Sequence, residues 1–555
     1  MAALALRRSR RLRVVSGLTL LAAVAVLYLY ALGRWPLLEP DEGRNAEVAR
    51  EMLELGQWSV PHFNHLPYLD KPAMLFWLMA GAFKVVGVNE WAARLPAAAS
   101  ALATVGLTYA LARELTGRAR ALLAAAIVAT APLVLVFARL AIFDMPFTAF
   151  VTLALWCLVR ARVAGGARAL VPTAGLAMAA ATLTKGPVGV AVPLLGWLVG
   201  RGALPAPRER TAPAAILVAV LLYVIAVGSW VAVVVGHEPT FLRYALVDET
   251  LLRFTSEGRF HRGAPVYFYV LTLAWALGPA CAALVATTPE LLRLRRLQTP
   301  EAPAVRFAAR VAAALIVLFT LSASKRPQYI LPALVPLAIL GAIGIANRPR
   351  RAADGLWVLA AVALVSGAAL AVAGYYGLHL EGAERSAASG PVLLTAGLSF
   401  SGWGVLTVLA RKLGPWPAIA CAGLLAPSLG LILLGQLTPW ASMRSARTLA
   451  TLIPPGATVV AFEAFRTSLP FYLRHPVPLF STTAGELTSN YICAQRARLL
   501  DGVNLAPPRA LQGILASSEP IYVITRPAKL DRLVQLSGDA LRPIHTDART
   551  VLLRR

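Results

Sequence analysis

Long apolar runs separated by short charged connections fill most of this chain up to about residue 440. Runs near 14–32, 94–112, 118–136, 143–159, 168–183, 187–200, 212–236, 266–288, 305–322, 328–346, 355–377, 391–410 and 416–437 are thirteen candidate membrane spans, several close to the short limit for a bilayer. The pattern predicts a polytopic α-helical membrane protein. A further run, 73–88, is read as a short re-entrant or juxtamembrane helix, because a full crossing there would invert every later segment. After Trp440 the pattern changes to strand-like 457–462 and 521–525, a helical stretch at 527–536 and a last strand at 550–553. The expected division is a transmembrane domain, 1–439, whose extracytoplasmic loop 33–93 carries the candidate chemistry, and a small extracytoplasmic α/β domain, 440–555.

Composition sharpens this picture. With 555 residues, a mean hydropathy of +0.66 and 14% charged residues, the chain lies outside the water-soluble class. A net charge of +26 would suit a nucleic-acid partner, but the placement of the basic residues argues for membrane orientation instead. Arg7, Arg8, Arg10, Arg11 and Arg13 precede the first run. Arg113 to Arg120, Arg160 to Arg168, Arg201 to Arg210, Arg293 to Arg296, Arg348 to Arg351, and Arg411 with Lys412 then occupy every second connection. Those connections, with the N-terminus, are expected in the cytoplasm, and the C-terminal domain on the far side. The first run is long and lacks a small-x-small cleavage site, so it reads as a retained helix rather than a signal peptide. The four cysteines suggest no disulfide framework. No Walker loop, Rossmann glycine pattern or G-x-S-x-G elbow occurs, which counts against an ATP-driven pump or a nucleotide-sugar enzyme.

Six of only 27 acidic side chains fall between Glu39 and Glu54, just after the first run. A helix is expected over 42–55, opened by Pro40 and Asp41 and ended by Gly56. It is read as an amphipathic helix lying at the interface, with Glu47, Glu51 and Glu54 on its wet face. Asp41 has two readings, a simple N-cap or a reactive carboxylate. On the side that the positive-inside rule should leave poor in cations, Lys71, Arg139, Lys185, Lys325 and Arg326 sit at bilayer level, and Arg253, Arg259, His261 and Arg262 lie in the loop 237–265. Cations placed against that bias call for an anionic ligand whose phosphates they neutralise.

These residues resemble the membrane glycosyltransferases of the GT-C class, specifically the group of dolichyl-phosphate-mannose protein mannosyltransferases and ArnT-like aminoarabinose transferases. The matching pieces are Glu39-Pro-Asp41-Glu42-Gly-Arg44, Asp70-Lys71-Pro72, Arg139 with Phe143-Asp144-Met-Pro146, Thr184-Lys185-Gly186, Arg253-Phe254 with His261-Arg262, and Ser324-Lys325 with Tyr329-Ile-Leu-Pro332, in family order across about 300 residues. The resemblance implies a hexosyl or pentosyl transferase with a polyprenyl-phosphate-linked sugar donor and a lipid or protein acceptor. Transfer would take place with inversion at the outer face of the bacterial cytoplasmic (inner) membrane, among membrane lipids and with no nucleic-acid partner. It implies Asp41 as catalytic carboxylate and Asp144 as a second acid, with Glu39 and Glu42 behind them. Arg44, Tyr68, Lys71, Arg139, Lys185, Arg262, Lys325, Arg326 and Tyr329 would bind donor and phosphate. A divalent metal (zinc, magnesium or manganese) is optional, held by Asp70 and His261; relatives that carry a metal have a glutamate in place of Asp70. A transporter or flippase of an anionic lipid is the competing class, and the lack of internal repeats counts against it.

Overall fold

The computed structural model describes residues 22–207, 212–252, 264–376, 389–500, 502–516 and 520–555. The chain forms two compact units, one of Met1–Leu32, Arg94–Val227 and Arg253–Leu437, the other of Gly33–Ala93, Gly228–Leu252 and Thr438–Arg555.

The first unit is helical. Among the described residues of the chain, eight helices are long and apolar enough to cross a bilayer, and a ninth counts if the bent pair Phe268–Ala276 and Pro279–Arg296 is one span. The protein is an integral membrane protein of mixed long and short helices. Several runs that read as single spans are broken. The run 266–288 bends by 109°, because Gly278 takes a left-handed φ of 57°, which disfavours any residue with a Cβ, and Pro279 starts the next helix. The run 118–136 is likewise split, into Arg118–Thr130 and Pro132–Phe137, whereas Gly186, at φ 77°, and Pro187 separate Ala167–Lys185 from Val188–Gly200 where the runs 168–183 and 187–200 already part. Pro349–Tyr375 and Ser389–Leu413 pack along their length at small residues; a Cβ on Gly374 or Gly397 would collide with the facing backbone.

Ion pairs tie together the basic connections that the charge pattern assigns to one side. Arg120 bonds Glu301 at 3.1 Å and Asn347 at 2.9 Å. Arg160 pairs with Glu114, Arg348 with Glu290, and Arg411 with Asp354. Alternate connections therefore gather at one end of this unit, as chain parity through a bilayer requires.

The second unit is built on a six-stranded sheet. The strand order is Leu505–Ala506, Leu479–Phe480, Thr458–Phe462, Ile521–Thr525, Val551–Arg554, Arg542–Thr546. The first four are parallel and the last two antiparallel to their neighbours. Val460, Phe462, Ile521, Val523, Leu533, Val551 and Leu553 form its core, with Leu530–Ser537 covering one face. Segment 33–93 folds into this same unit. It contributes the helix Asp41–Glu54, the two-residue strands His62–Phe63 and Leu66–Pro67, and the apolar helix Met74–Val86. At 13 residues that last helix is about 20 Å long, short of a bilayer core of roughly 30 Å.

Candidate active site

The acidic stretch forms the helix Asp41–Glu54, but not the one its polarity predicts. Residues Glu42 to Met52 are all buried, Glu47 and Glu51 completely. Glu47 and Glu51 therefore lie on an interior face, while Glu54, at the helix end, stays exposed as expected. Its charges are matched internally. Arg50 takes both oxygens of Glu47 at 2.7 and 2.8 Å and reaches Glu54 at 2.6 Å, while Glu51 accepts the backbone N–H of His65 at 2.9 Å. Burial and the neighbouring Glu47 push the Glu51 carboxyl well above its ordinary range. Asp41 does not cap the helix. Its carboxylate bonds Nη2 of Arg44 at 2.5 Å and stays 42% exposed, at the head of a helix whose residues Glu42 to Met52 are buried.

The residues around Asp41 are held by distant parts of the same unit. Glu39 accepts from Nε of Arg466 at 2.6 Å and from the backbone N–H and hydroxyl of Ser468 at 3.0 and 2.7 Å. Glu42 accepts the N–H of Leu38 at 3.0 Å. Arg44 donates to the carbonyl and hydroxyl of Thr488 at 2.8 and 2.6 Å and lies over the Tyr68 ring, 5.5 Å from its centroid. Burial alone would lower the Arg44 pKa, but Tyr68, Asp41 and Asp70 outweigh it and hold the guanidinium above its ordinary value. Burial raises the Tyr68 phenol, against the pull of Arg44.

Asp70 is the hub of a second network. It accepts the Tyr244 hydroxyl at 2.5 Å and the backbone N–H groups of Tyr491 and Asn490 at 2.7 and 3.1 Å. Three donors occupy most of what a carboxylate can accept. Among the described residues no three His, Cys, Asp or Glu side chains gather as a metal site would need. Asp70 thus anchors Tyr244, Asn490 and Tyr491 to one carboxylate. His261, its proposed partner, and Arg262, with Arg253 and Arg259, lie outside the described residues. Lys71 pairs with Glu249 and donates to the carbonyl of Asp70 at 2.8 Å.

In the helical unit, Asp144 begins the helix Asp144–Val163 and meets Lys185, the last residue of Ala167–Lys185, at 2.5 Å; both are largely buried. The Lys185 ammonium lies over the rings of Tyr329 and Phe147, 4.7 and 5.0 Å from their centroids. The ammonium is thus enclosed by one counter-ion and two aromatic faces. Lys325 is buried, and the carbonyl of Arg326 accepts the Tyr269 hydroxyl at 3.2 Å. Arg139 instead caps the end of the helical stretch 22–29, donating to the carbonyls of Leu27, Tyr28 and Tyr30 at 3.2, 3.4 and 2.7 Å. Sequence reasoning marked Ser468 only as the start of a segment, Ser468 to Leu473, that packs or lines a cleft, and missed Thr488, Arg466, Tyr244 and Glu249. Each meets its partner only across more than 170 residues of chain, and nothing local marks it. Leu469, Pro470 and Phe471 are buried, and their short helix Leu469–Leu473 packs against Asp41–Glu54.

A family model described as dolichyl-phosphate-mannose-protein mannosyltransferase matches residues 70–230. A protein of Pseudomonas paraeruginosa named undecaprenyl phosphate-alpha-4-amino-4-deoxy-L-arabinose arabinosyl transferase is 34% identical over 349 residues, 60% of each chain. A protein of the same name from Edwardsiella ictaluri is 30% identical over 459 residues, 78% of each. Among solved structures, ArnT from Cupriavidus metallidurans bound to undecaprenyl phosphate superimposes with a TM-score of 0.80 at 23% identity, covering 97% of this chain and 98% of that one. The fold is thus that of ArnT, while the chain spans about 60% of the length of the Pseudomonas relatives it matches.

Proposed function

Because the chain belongs to the undecaprenyl phosphate-4-amino-4-deoxy-L-arabinose arabinosyl transferase family, we propose that it is a membrane glycosyltransferase that moves an aminopentose from undecaprenyl phosphate to a lipid A-like acceptor. The reaction takes place at the outer face of the cytoplasmic membrane, with the N-terminus inside and the sheet unit outside. An acceptor oxygen attacks the anomeric carbon as the bond from that carbon to the phosphate oxygen breaks. The electron pair leaves with undecaprenyl phosphate and the anomeric configuration inverts.

Two demands follow, charge stabilisation on the leaving phosphate and a group that orders the acceptor oxygen. Lys185, with Lys71, Lys325 and Arg326, supports the first. Asp144 acts through Lys185, as its counter-ion. The observation that carries the reading is Asp41, exposed on a buried helix and fixed by Arg44. With a hydroxyl acceptor Asp41 takes the proton; with a phosphate acceptor, already anionic, it orients the attacking group.

The test is Asp41→Asn. Donor binding should persist while transfer from undecaprenyl phosphate-aminoarabinose to lipid A falls by about 100-fold or more. Wild-type turnover by that variant would sink the assignment. Mass spectrometry of envelope lipids and proteins from cells with and without the chain identifies the acceptor, and a sugar found only on protein would replace lipid A in this reading.

A further inference from the structure

We propose that the C-terminal α/β portion is a positioning device for Asp41, with Arg466, Ser468 and Thr488 as its grip; the proposal rests on Asp41 being the catalytic carboxylate.

In the parallel part of the sheet the chain runs from Thr458–Phe462 outward through Leu479–Phe480 and Leu505–Ala506, then crosses back to Ile521–Thr525 on the other side. Sheets of this topology bind ligands outside the carboxyl ends of the two strands that flank such a reversal. Here the loop leaving the first of those strands carries Arg466 and Ser468, and both hold Glu39, two residues before Asp41. The usual ligand-binding edge of the sheet is spent on a segment of the protein itself. The approach is close: a Cβ on Gly43 would lie 2.5 Å from Cβ of Ser468.

A second grip lies at Thr488. Its φ of 55° is left-handed, an unfavourable conformation for a β-branched residue. Strain of this kind persists where the surroundings enforce it and clusters at functional sites. The enforcing contacts are visible. Thr488 turns its carbonyl and hydroxyl onto Nη1 of Arg44, whose Nη2 holds Asp41, while Asp70 fixes the next turn through the N–H groups of Asn490 and Tyr491. Asp41 is thus located from both sides, through Glu39 and through Arg44, by residues more than 400 positions later in the chain.

The experiment uses the full-length enzyme in detergent, with undecaprenyl phosphate-aminoarabinose and lipid A. It measures kcat, KM and thermal stability for Arg466→Ala, Arg466→Lys, Ser468→Ala and Thr488→Val, with exposed Arg509→Ala as control. A misplaced carboxylate predicts kcat lower by about 10- to 100-fold for Arg466→Ala, with donor KM within about threefold, partial rescue by Arg466→Lys, and a smaller fall of kcat for Thr488→Val. Should Arg466→Ala fail to fold, Ser468→Ala and Thr488→Val carry the test. The proposal is overturned if folded variants keep wild-type kcat, or if only KM changes, while wild type transfers sugar and Asp41→Asn does not. If Asp41→Asn itself retains turnover, the catalytic reading fails instead.

Discussion

At the scale of single residues, the Asp144–Lys185 pair, proposed for the site, is expected to carry stability as well. Both side chains are largely buried and 2.5 Å apart. Removing one partner of such a pair leaves an uncompensated charge, at a cost of about 3–5 kcal/mol, while replacing both with apolar residues is often near neutral. Lys185→Met should therefore lower thermal stability in detergent sharply and abolish transfer. The double variant Lys185→Met with Asp144→Leu should recover most of the stability and none of the transfer. A double variant as unstable as the single one would show that the pair is not the cause. Sequence alone marked both residues, because an acid and a lysine at bilayer level stand out. It did not pair them, since 41 positions separate them. Arg139 stood out for the same reason, and the fold gives it helix carbonyls to cap.

At the scale of an element, the helix Asp41–Glu54 was legible in position and not in environment. Its start follows from Pro40 and its end from Gly56, which has a left-handed φ of 65°. Polar spacing is the same for a solvated face and for a buried one whose charges pair, so the face of Glu47 and Glu51 was misassigned. Glu51 provides the check. Its folded pKa is raised by burial and by Glu47, so between the unfolded and folded values the native state binds more protons. Its stabilising contribution is complete below the unfolded pKa and is lost as pH rises through the folded one. Glu51→Gln mimics the protonated form and should raise melting temperature at pH 8 more than at pH 5, flattening the profile. An equal change at both pH values would contradict a raised Glu51.

At the scale of the whole molecule, the basic connections gather at one end of the helical unit through Arg120, Arg160, Arg348 and their partners. The proposed orientation then predicts accessibility. In a background without native cysteines, Val503→Cys, at a strongly exposed position of the sheet unit, should react with an impermeant maleimide in intact spheroplasts. Arg350→Cys, in a basic connection, should react only after permeabilisation. Reversed labelling would invert the topology.

The sequence by itself determined the membrane class, the α/β tail, the alternation of basic connections and the short list of charged residues on the opposite side. These are properties of local composition, and hydropathy and charge act on each segment wherever it folds. Only the tertiary structure decided which charges meet. It broke the apparent single spans 266–288 at Gly278 and 118–136 at Pro132, buried the acidic helix, occupied Asp70 with Tyr244, Asn490 and Tyr491, and brought Arg466 and Thr488 to either side of Asp41. The reason is physical: a buried charge must find its partner in space, and no local pattern records which distant residue will supply it.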